Sequence, residues 1–208
     1  MRVTRYGHSA VLVESVGQRI LIDPGAFSVD ETFGLTGLDV IVVTHEHADH
    51  FDRNRAGDLL ASNPTALRLA PPTLAAELGW QPVTEHRLGA MLLSGVGTRH
   101  AEILPTLARV ENSGVLIQAA GEPTFFHPGD SYETVPQGVD VLALPLVAPW
   151  TKISETVAFA QAVKPTAAFM IHDRGVSDLA YGIYAGHVQS HGGIHDLRLL
   201  GQTDTSEF

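Results

Sequence analysis

The strongest constraint in this chain is a run of six residues that carries four metal-ligating side chains. The run follows directly on the apolar segment 39–44 and contains His45, His47, Asp49 and His50. Such a continuous apolar segment is typical of a strand covered on both faces, and a tight turn leaving a rigid strand can aim several side chains at one point. An ordinary core cannot hydrogen-bond so many desolvated imidazole and carboxylate groups. The sequence therefore predicts a metal site at the end of this strand.

A single turn cannot complete the ligand shells of two cations, so further ligands are expected at later strand ends. Three candidates hold such positions, namely His100, Asp130 and His172. Each comes shortly after an apolar run, beside a glycine or a charged turn residue. Taken singly, Asp130 could cap a turn and either histidine could be an exposed loop residue. As a set, they complete the donors of the six-residue run.

Composition narrows the partners and the chemistry. The chain of 208 residues has no cysteine, which excludes disulfides, thiolate nucleophiles and cysteine ligands. Its 23 acidic and 13 basic residues give a net charge of −10, so we expect no nucleic-acid partner. No apolar stretch nears the ~20 residues of a membrane helix, and the N-terminus turns polar early. We expect one domain over residues 1–208, cytoplasmic and without a membrane partner.

Strand and helix patterns alternate along the whole chain, which predicts a layered α/β domain. The predicted strands are 11–13, 20–22, 39–44, 115–117, 124–126, 139–144, 167–171 and 197–200. The predicted helices are 57–62, 72–78, 154–163 and 178–190. The polar segment 202–208 is expected to be frayed.

The motif at 45–50, followed by His100, Asp130 and His172, resembles the metallo-β-lactamase superfamily. The resemblance covers nearly the whole chain and implies a four-layer αββα sandwich, in which helices flank two mixed β-sheets. The opening segment 7–13 and the surroundings of Asp130 are similar to a narrower branch. That branch contains ascorbate-6-phosphate lactonase-like proteins and compact hydrolases.

The resemblance also implies a role for each candidate residue. The first cation would be held by His45, His47 and His100, the second by Asp49, His50 and His172, with Asp130 bridging the two. Asp49 and Asp130 would be the catalytic carboxylates, offsetting part of the cation charge and relaying a proton.

Two residues that come earlier in the sequence than the motif are candidates for orienting the ligands by hydrogen bonds. Asp23 matches an aspartate of the family that hydrogen-bonds a ligand histidine, although an Asp-Pro-Gly turn explains it as well. His8 lies just before the predicted strand 11–13 and is a candidate donor behind the ligands.

The implied cofactors are two divalent cations. Imidazole-rich ligands favour Zn²⁺, while Mn²⁺ and Fe²⁺ are compatible with the same donors. Paired cations turn a shared water into hydroxide near neutral pH, so the implied activity is hydrolysis of an ester, lactone or phosphoester of a small anionic metabolite. The alternatives are a phosphodiesterase or nuclease of the same fold, oxidative di-iron chemistry, and a non-catalytic metal-binding sensor.

Four further residues are candidate substrate contacts. Arg174 and Arg99 stand beside predicted ligands and could bind a carboxylate or phosphate, with surface ion pairing as the alternative. Tyr132 and Trp150 could line the pocket, with core packing as the alternative. His187, His191 and His195 have no assigned role. A homo-oligomer is compatible with the apolar positions of the last predicted helix.

Overall fold

The computed structural model describes residues 1–208 and builds them around two β-sheets of seven strands each. The first sheet has the order β14-β1-β2-β3-β4-β5-β6. Its strands are β1 (Arg2–Arg5), β2 (Val11–Ser15), β3 (Gln18–Ile22), β4 (Val40–Val42), β5 (Leu67–Ala70), β6 (Gln81–Pro82) and β14 (Thr205–Glu207). Both parallel and antiparallel pairs occur in it, which makes it a mixed sheet.

The second sheet has the order β13-β12-β11-β10-β9-β8-β7 and is also mixed. Its strands are β7 (Glu85–Leu88), β8 (Met91–Val96), β9 (Gly114–Ala119), β10 (Phe125–His127), β11 (Val141–Pro145), β12 (Ala167–Ile171) and β13 (Asp196–Arg198). The helices are α1 (Ala56–Ser62), α2 (Pro72–Leu78), α3 (Ile153–Val163) and α4 (Asp178–His191), with a 3₁₀ turn at Asp30–Gly34.

The strands read as continuous apolar runs because each of their faces is covered by a different layer. In β4, Val40 and Val42 point into the core between the sheets, while Ile41 packs outward in the cluster that includes Leu59 of α1. In β11, Leu142 packs outward in the cluster that includes α3 and α4. This period of two explains the sandwich order helix, sheet, sheet, helix, and it confirms the αββα expectation.

Strand direction brings the ligand-bearing loops to the carboxyl ends of the strands. β3, β4 and β5 are parallel, as are β10, β11 and β12. β8 is antiparallel to β9, which is antiparallel to β10, so β8 runs in the same direction as β10. The loops after β3, β4, β8, β10 and β12 therefore leave their sheets at carboxyl ends, where ligands bind in open α/β sheets.

The C-terminal segment corrects the sequence-based expectation of a frayed end. β14 pairs antiparallel with β1, with Val3 opposite Ser206. Phe208 packs against the core between the sheets, and the Arg198 guanidinium lies 4.0 Å from its ring centre. The segment lacks apolar residues of its own before Phe208, so the hydrogen-bonding edge of β1 orders it. No helix here combines the length and the apolar character that crossing a bilayer demands.

Candidate metal centre

The seven predicted ligands converge at the carboxyl ends of the strands. Two groups of donor atoms each lie within 4.8 Å of one another. The imidazole cluster consists of His45, His47 and His100. The mixed cluster consists of His8, Asp49, His50 and His172. A third group, formed by His45, His50 and Asp130, connects the two clusters.

Asp130 lies between the two clusters. Its Oδ2 is 3.0 Å from His172 Nε2, 3.5 Å from His100 Nε2 and 4.0 Å from His45 Nε2. Its Oδ1 is 3.2 Å from His50 Nε2. A single buried carboxylate thus faces histidines from both sides, which is the geometry a bridging ligand requires.

The hydrogen bonds of the imidazole rings fix which nitrogen faces the site. Nδ1 of His100 donates to the carbonyl of the next residue at 2.6 Å, and Nδ1 of His172 donates to the Val147 carbonyl at 2.7 Å. Nδ1 of His50 donates to Asp23 Oδ2 at 2.6 Å. Because a carbonyl only accepts, a neutral ring held in this way leaves its Nε2 lone pair free. In the neutral form that binds a metal, these three rings would present their Nε2 lone pairs toward Asp130, oriented by protein groups behind them.

The donor set fits divalent cations. Nε2 of His45, His50, His100 and His172 is buried without a hydrogen-bond partner, and so is Oδ1 of Asp130. Five such orphaned atoms in one place would cost several kcal/mol if nothing bound them. Imidazole nitrogens with carboxylate oxygens are ligands that Zn²⁺ and related divalent metals prefer. The side chains at this site therefore fit the binding of divalent cations.

The pKa values show that, without a cation, protons on two histidines balance the negative charge of the buried carboxylates. Burial works against protonation of His50, but the charges of Asp130 and Asp23 outweigh it and raise the pKa of His50 well above its usual value. The same balance, with Asp130 as the main charge, raises the pKa of His172 to about 9. Burial opposes ionisation of Asp130, yet His50 and His172 hold its pKa well below the usual range. Cations would take the place of these protons.

His8 is joined to the mixed cluster through Asp49. Its Nε2 lies 3.1 Å from Asp49 Oδ2, and its Nδ1 accepts a hydrogen bond from the backbone N–H of Arg174 at 3.4 Å. Burial lowers the pKa of His8 to about 4, so the ring is neutral at physiological pH. With Nδ1 accepting, Nε2 carries the proton and donates it to Asp49. His8 thus holds the Asp49 carboxylate in place.

Asp23 is linked by hydrogen bonds to a histidine of each cluster. Its carboxylate accepts from the backbone N–H and from the hydroxyl of Thr44, each at 2.7 Å, and also from His50. Since the Thr44 hydroxyl donates to Asp23, it accepts from His45 Nδ1 at 3.1 Å. The predicted role of Asp23 toward a ligand histidine agrees with this geometry. One buried carboxylate orients a histidine in each cluster.

The loop that carries Asp130 is held by two buried side chains. Asn112 Oδ1 accepts from the Asp130 backbone N–H at 2.9 Å, and its Nδ2 donates to the Pro128 carbonyl at 2.9 Å. His127 donates to the Ser9 carbonyl at 3.0 Å and accepts from the Gly129 backbone N–H at 3.1 Å. Both nitrogens of His127 are occupied, so this buried histidine supports the loop and is not available as a ligand.

Three site residues hold positive backbone φ angles, which non-glycine residues adopt rarely. The angles are 50° at His8, 52° at Asp23 and 55° at His172. Each residue ends or follows a strand that leads to the site. Strain of this kind gathers where a surrounding structure fixes functional side chains.

The aromatic candidates differ in their relation to the site. Trp150 donates from Nε1 to Asp130 Oδ2 at 2.8 Å, so it contacts the carboxylate that lies between the two clusters. The Tyr132 hydroxyl donates to the Pro145 carbonyl at 2.6 Å, and its ring stacks on Phe159 and meets Trp150 edge-on. The Tyr132 hydroxyl is thereby committed to a backbone carbonyl, and its ring supports Trp150. Substrate contact by either residue stays a prediction.

The two arginine candidates have exposed side chains, and their predicted contact with substrate is untested. Arg99 precedes His100, and Arg174 reaches the site through its backbone N–H to His8. His187 and His191 stack on the exposed face of α4 with ring centres 6.3 Å apart, and neither belongs to the donor groups above.

Sequence reasoning missed Thr44, Asn112 and the loop-supporting role of His127. The role of Thr44 could have been predicted from its position, because a threonine between a buried strand and a ligand motif can hydrogen-bond to residues on both sides. The role of Asn112 could not, since its partner Asp130 lies 18 residues away and nothing in its neighbourhood points there.

An αββα sandwich with a His/Asp donor set at its strand ends defines the metallo-β-lactamase class of folds. The family model described as the beta-lactamase superfamily domain matches residues 2–172, so the chain belongs to the β-lactamase superfamily.

Relatives of the chain include proteins from two bacterial lineages. Protein Rv0786c of Mycobacterium tuberculosis is 41% identical over 194 residues, which covers 90% of this chain and 91% of that protein. A UPF0173 metal-dependent hydrolase of a Geobacillus species is 35% identical over 152 residues, covering 63% of each.

Solved structures share the fold at low sequence identity. Igni18, a metallo hydrolase of the archaeon Ignicoccus hospitalis, has a TM-score of 0.75 at 20% identity, with 100% of this chain and 98% of that chain covered. The metallo-beta-lactamase fold protein YhfI of Bacillus subtilis has a TM-score of 0.74 at 15% identity, covering 99% and 98%. At these identities the likeness concerns the fold alone.

Proposed function

We propose that the protein is a metal-dependent hydrolase that uses two divalent cations to cleave an ester, lactone or phosphoester bond of a small metabolite. The observation that carries this proposal is the set of five orphaned donor atoms, four imidazole nitrogens and one carboxylate oxygen, buried around one point. The Geobacillus relative is described as a metal-dependent hydrolase, which supports the proposal.

The two clusters suggest how the ligands are shared. The imidazole cluster would hold one cation, and Asp49, His50 and His172 would hold the other, with Asp130 serving both. Bound divalent cations lower the pKa of water toward neutrality and polarise a scissile carbonyl or phosphoryl oxygen. Zn²⁺ is the proposed metal, with Mn²⁺ and Fe²⁺ as substitutes that the same donors accept.

The protein side chains supply orientation and proton acceptance. His8 Nε2–H holds Oδ2 of Asp49, and Trp150 Nε1–H holds Oδ2 of Asp130. Each carboxylate is thereby kept in one rotamer while retaining lone pairs for a proton released during hydrolysis. Asp49 is a quarter exposed and Asp130 is almost fully buried, so Asp49 is the carboxylate better placed to pass a proton to solvent.

A substrate with an anionic group remains part of the proposal. Arg174 and Arg99 are close in sequence to His172 and His100, and their exposed side chains could bind a carboxylate or phosphate. The net charge of −10 argues for a small molecule and against a polynucleotide.

The test combines elemental analysis of the purified protein with a substrate panel of lactones, aryl esters and bis-p-nitrophenyl phosphate. We expect two divalent cations per chain and turnover of a lactone or ester that chelation abolishes. Preferential cleavage of the phosphodiester would instead favour a phosphodiesterase of the same fold. Metal at full occupancy without turnover of any hydrolytic substrate would refute the enzyme proposal in favour of a sensor.

A further inference from the structure

A small pocket opens beside the imidazole cluster, and most of its lining lies outside the seven predicted ligands. It has a volume of about 190 Å³. His47 and His100 form its inner wall, and the loop after β8 forms the outer wall with Ile103, Leu107, Ala108 and Val110. We call it the loop pocket. Its position next to two predicted ligands places any occupant against the reacting centre.

The loop that builds the pocket is fixed at both ends. His100 N–H donates to the Val110 carbonyl at 3.0 Å, and Ala101 N–H donates to the Asp130 carbonyl at 2.7 Å. A turn between Leu104 and Leu107, with an N–H···O distance of 3.0 Å, shapes the outer part. The pocket is therefore a feature of the folded loop, held in register with the ligands themselves.

Two large apolar side chains stand exposed on this loop. Leu104 and Leu107 are 52% and 53% exposed, and Leu107 lines the pocket. Apolar surface left in water next to a polar centre is a frequent sign of a ligand site. An apolar occupant would remove this surface from water.

The charges near the loop pocket disfavour an anionic occupant. Arg109 is the cation in its lining, but Nε donates to the His100 carbonyl at 2.6 Å and the guanidinium also pairs with Glu133. Glu46 and Glu111 line the hollow that adjoins the pocket and shares Arg109 with it. A carboxylate or phosphate in the pocket would meet this negative charge, and the arginine in the pocket lining is already paired.

We propose that the loop pocket binds an uncharged, apolar group of the substrate, about the size of one six-membered ring or a short branched chain. An engineered apolar cavity of about 150 Å³ takes one benzene ring, so the volume found here suits a group of that size. The inference rests on the proposed hydrolase function and deepens it. The cleaved bond would join an apolar part in the loop pocket to a part that extends toward Arg174.

Binding of two carboxylates tests the pocket without any turnover. Acetate and phenylacetate carry the same charged group, and only phenylacetate has a ring for the pocket. We expect the Zn²⁺-loaded protein to bind phenylacetate at least tenfold more tightly, since each buried methylene-sized group contributes about fourfold. Saturation-transfer NMR and isothermal titration measure both dissociation constants.

Two variants locate the effect in the pocket. Ala108→Phe fills the space and should bring the ratio of the two dissociation constants close to one. Leu107→Ser removes apolar wall and should lower the ratio several-fold, which keeps the test valid if Ala108→Phe fails to fold. The matched control is Leu179→Ser, because Leu179 is also an exposed leucine, 76% exposed on α4, and lies outside the pocket. A ratio of one in the wild type, or a ratio that both pocket variants leave unchanged, overturns the inference.

Turnover separates this inference from the proposed function. With p-nitrophenyl acetate, butyrate and benzoate, kcat/KM should rise with the apolar group in the wild type and lose that rise in Ala108→Phe. If neither these esters nor the lactones and the phosphodiester of the substrate panel are cleaved while the binding ratio persists, the hydrolase proposal fails and the pocket stands. If all are cleaved at one rate and the binding ratio is one, the pocket inference fails alone.

Discussion

The imidazole cluster and the mixed cluster lie side by side but are built differently. The imidazole cluster has three imidazole donors and no carboxylate, and its His47 is half-buried. The mixed cluster adds the Asp49 carboxylate, and its His50 is fully buried on the Asp23 carboxylate. The two clusters are buried alike, each with one partly exposed member, so the difference lies in charge: only the mixed cluster has a carboxylate of its own. We therefore expect the mixed cluster to hold its cation more tightly.

The loss of the residue between the clusters should have the largest effect. Asp130→Ala removes a carboxylate that faces histidines of both clusters, so metal and activity should be lost together. Elemental analysis and an esterase assay on the same preparation measure this. Full activity at normal metal content would rule out the bridging role.

His47→Ala should break the imidazole cluster alone. We expect about half of the metal to remain and activity to fall to near background. Because the His47 side chain is half-buried, the metal-free variant should unfold within about 1 kcal/mol of the metal-free wild type. Metal content together with urea denaturation checks both statements. Retention of two cations per chain would show that His47 is not a ligand.

Asp23→Asn should weaken the mixed cluster through His50. Removing the partner that orients a metal-ligating histidine typically lowers metal affinity or activity 10- to 100-fold. The buried amide also leaves hydrogen bonds to Thr44 or His50 unsatisfied, so the free energy of unfolding should fall by about 1–3 kcal/mol. Asp58→Asn, on the exposed face of α1, is the matched control. Unchanged metal affinity in the Asp23 variant would contradict the comparison.

Trp150→Phe should give the smallest effect. It tests the hydrogen bond to Asp130, the residue between the two clusters. The variant keeps an aromatic ring beside Tyr132 and removes the hydrogen bond to Asp130 Oδ2. A loss of about 1 kcal/mol, or about fivefold in kcat/KM, is expected. Steady-state kinetics at saturating metal measures it. A change in metal content with no change in kinetics would assign Trp150 to metal retention instead.

The architecture could be predicted from the sequence because polar, metal-ligating residues directly follow apolar runs at the ends of the strands. The apolar runs before His45 and His172 indicated doubly covered strands, and donors just beyond them indicated a shared edge. The support of Asp130 by Asn112 could not be predicted, since it depends on two loops meeting in space. The order of the C-terminal segment was equally hidden, because it comes from backbone pairing with β1 and not from its own side chains.

Gly25 sets a limit on how this centre can vary. A β-carbon at that position would stand 1.8 Å from the Asp49 carbonyl oxygen, closer than any packing rearrangement of a side chain could relieve. The segment after β3 and the turn after β4 thus approach backbone to backbone, and any larger residue would have to push that turn away from the candidate metal centre. Saturation mutagenesis at codon 25 should return glycine alone. A position that offers no donor atom would then be as intolerant as the ligands.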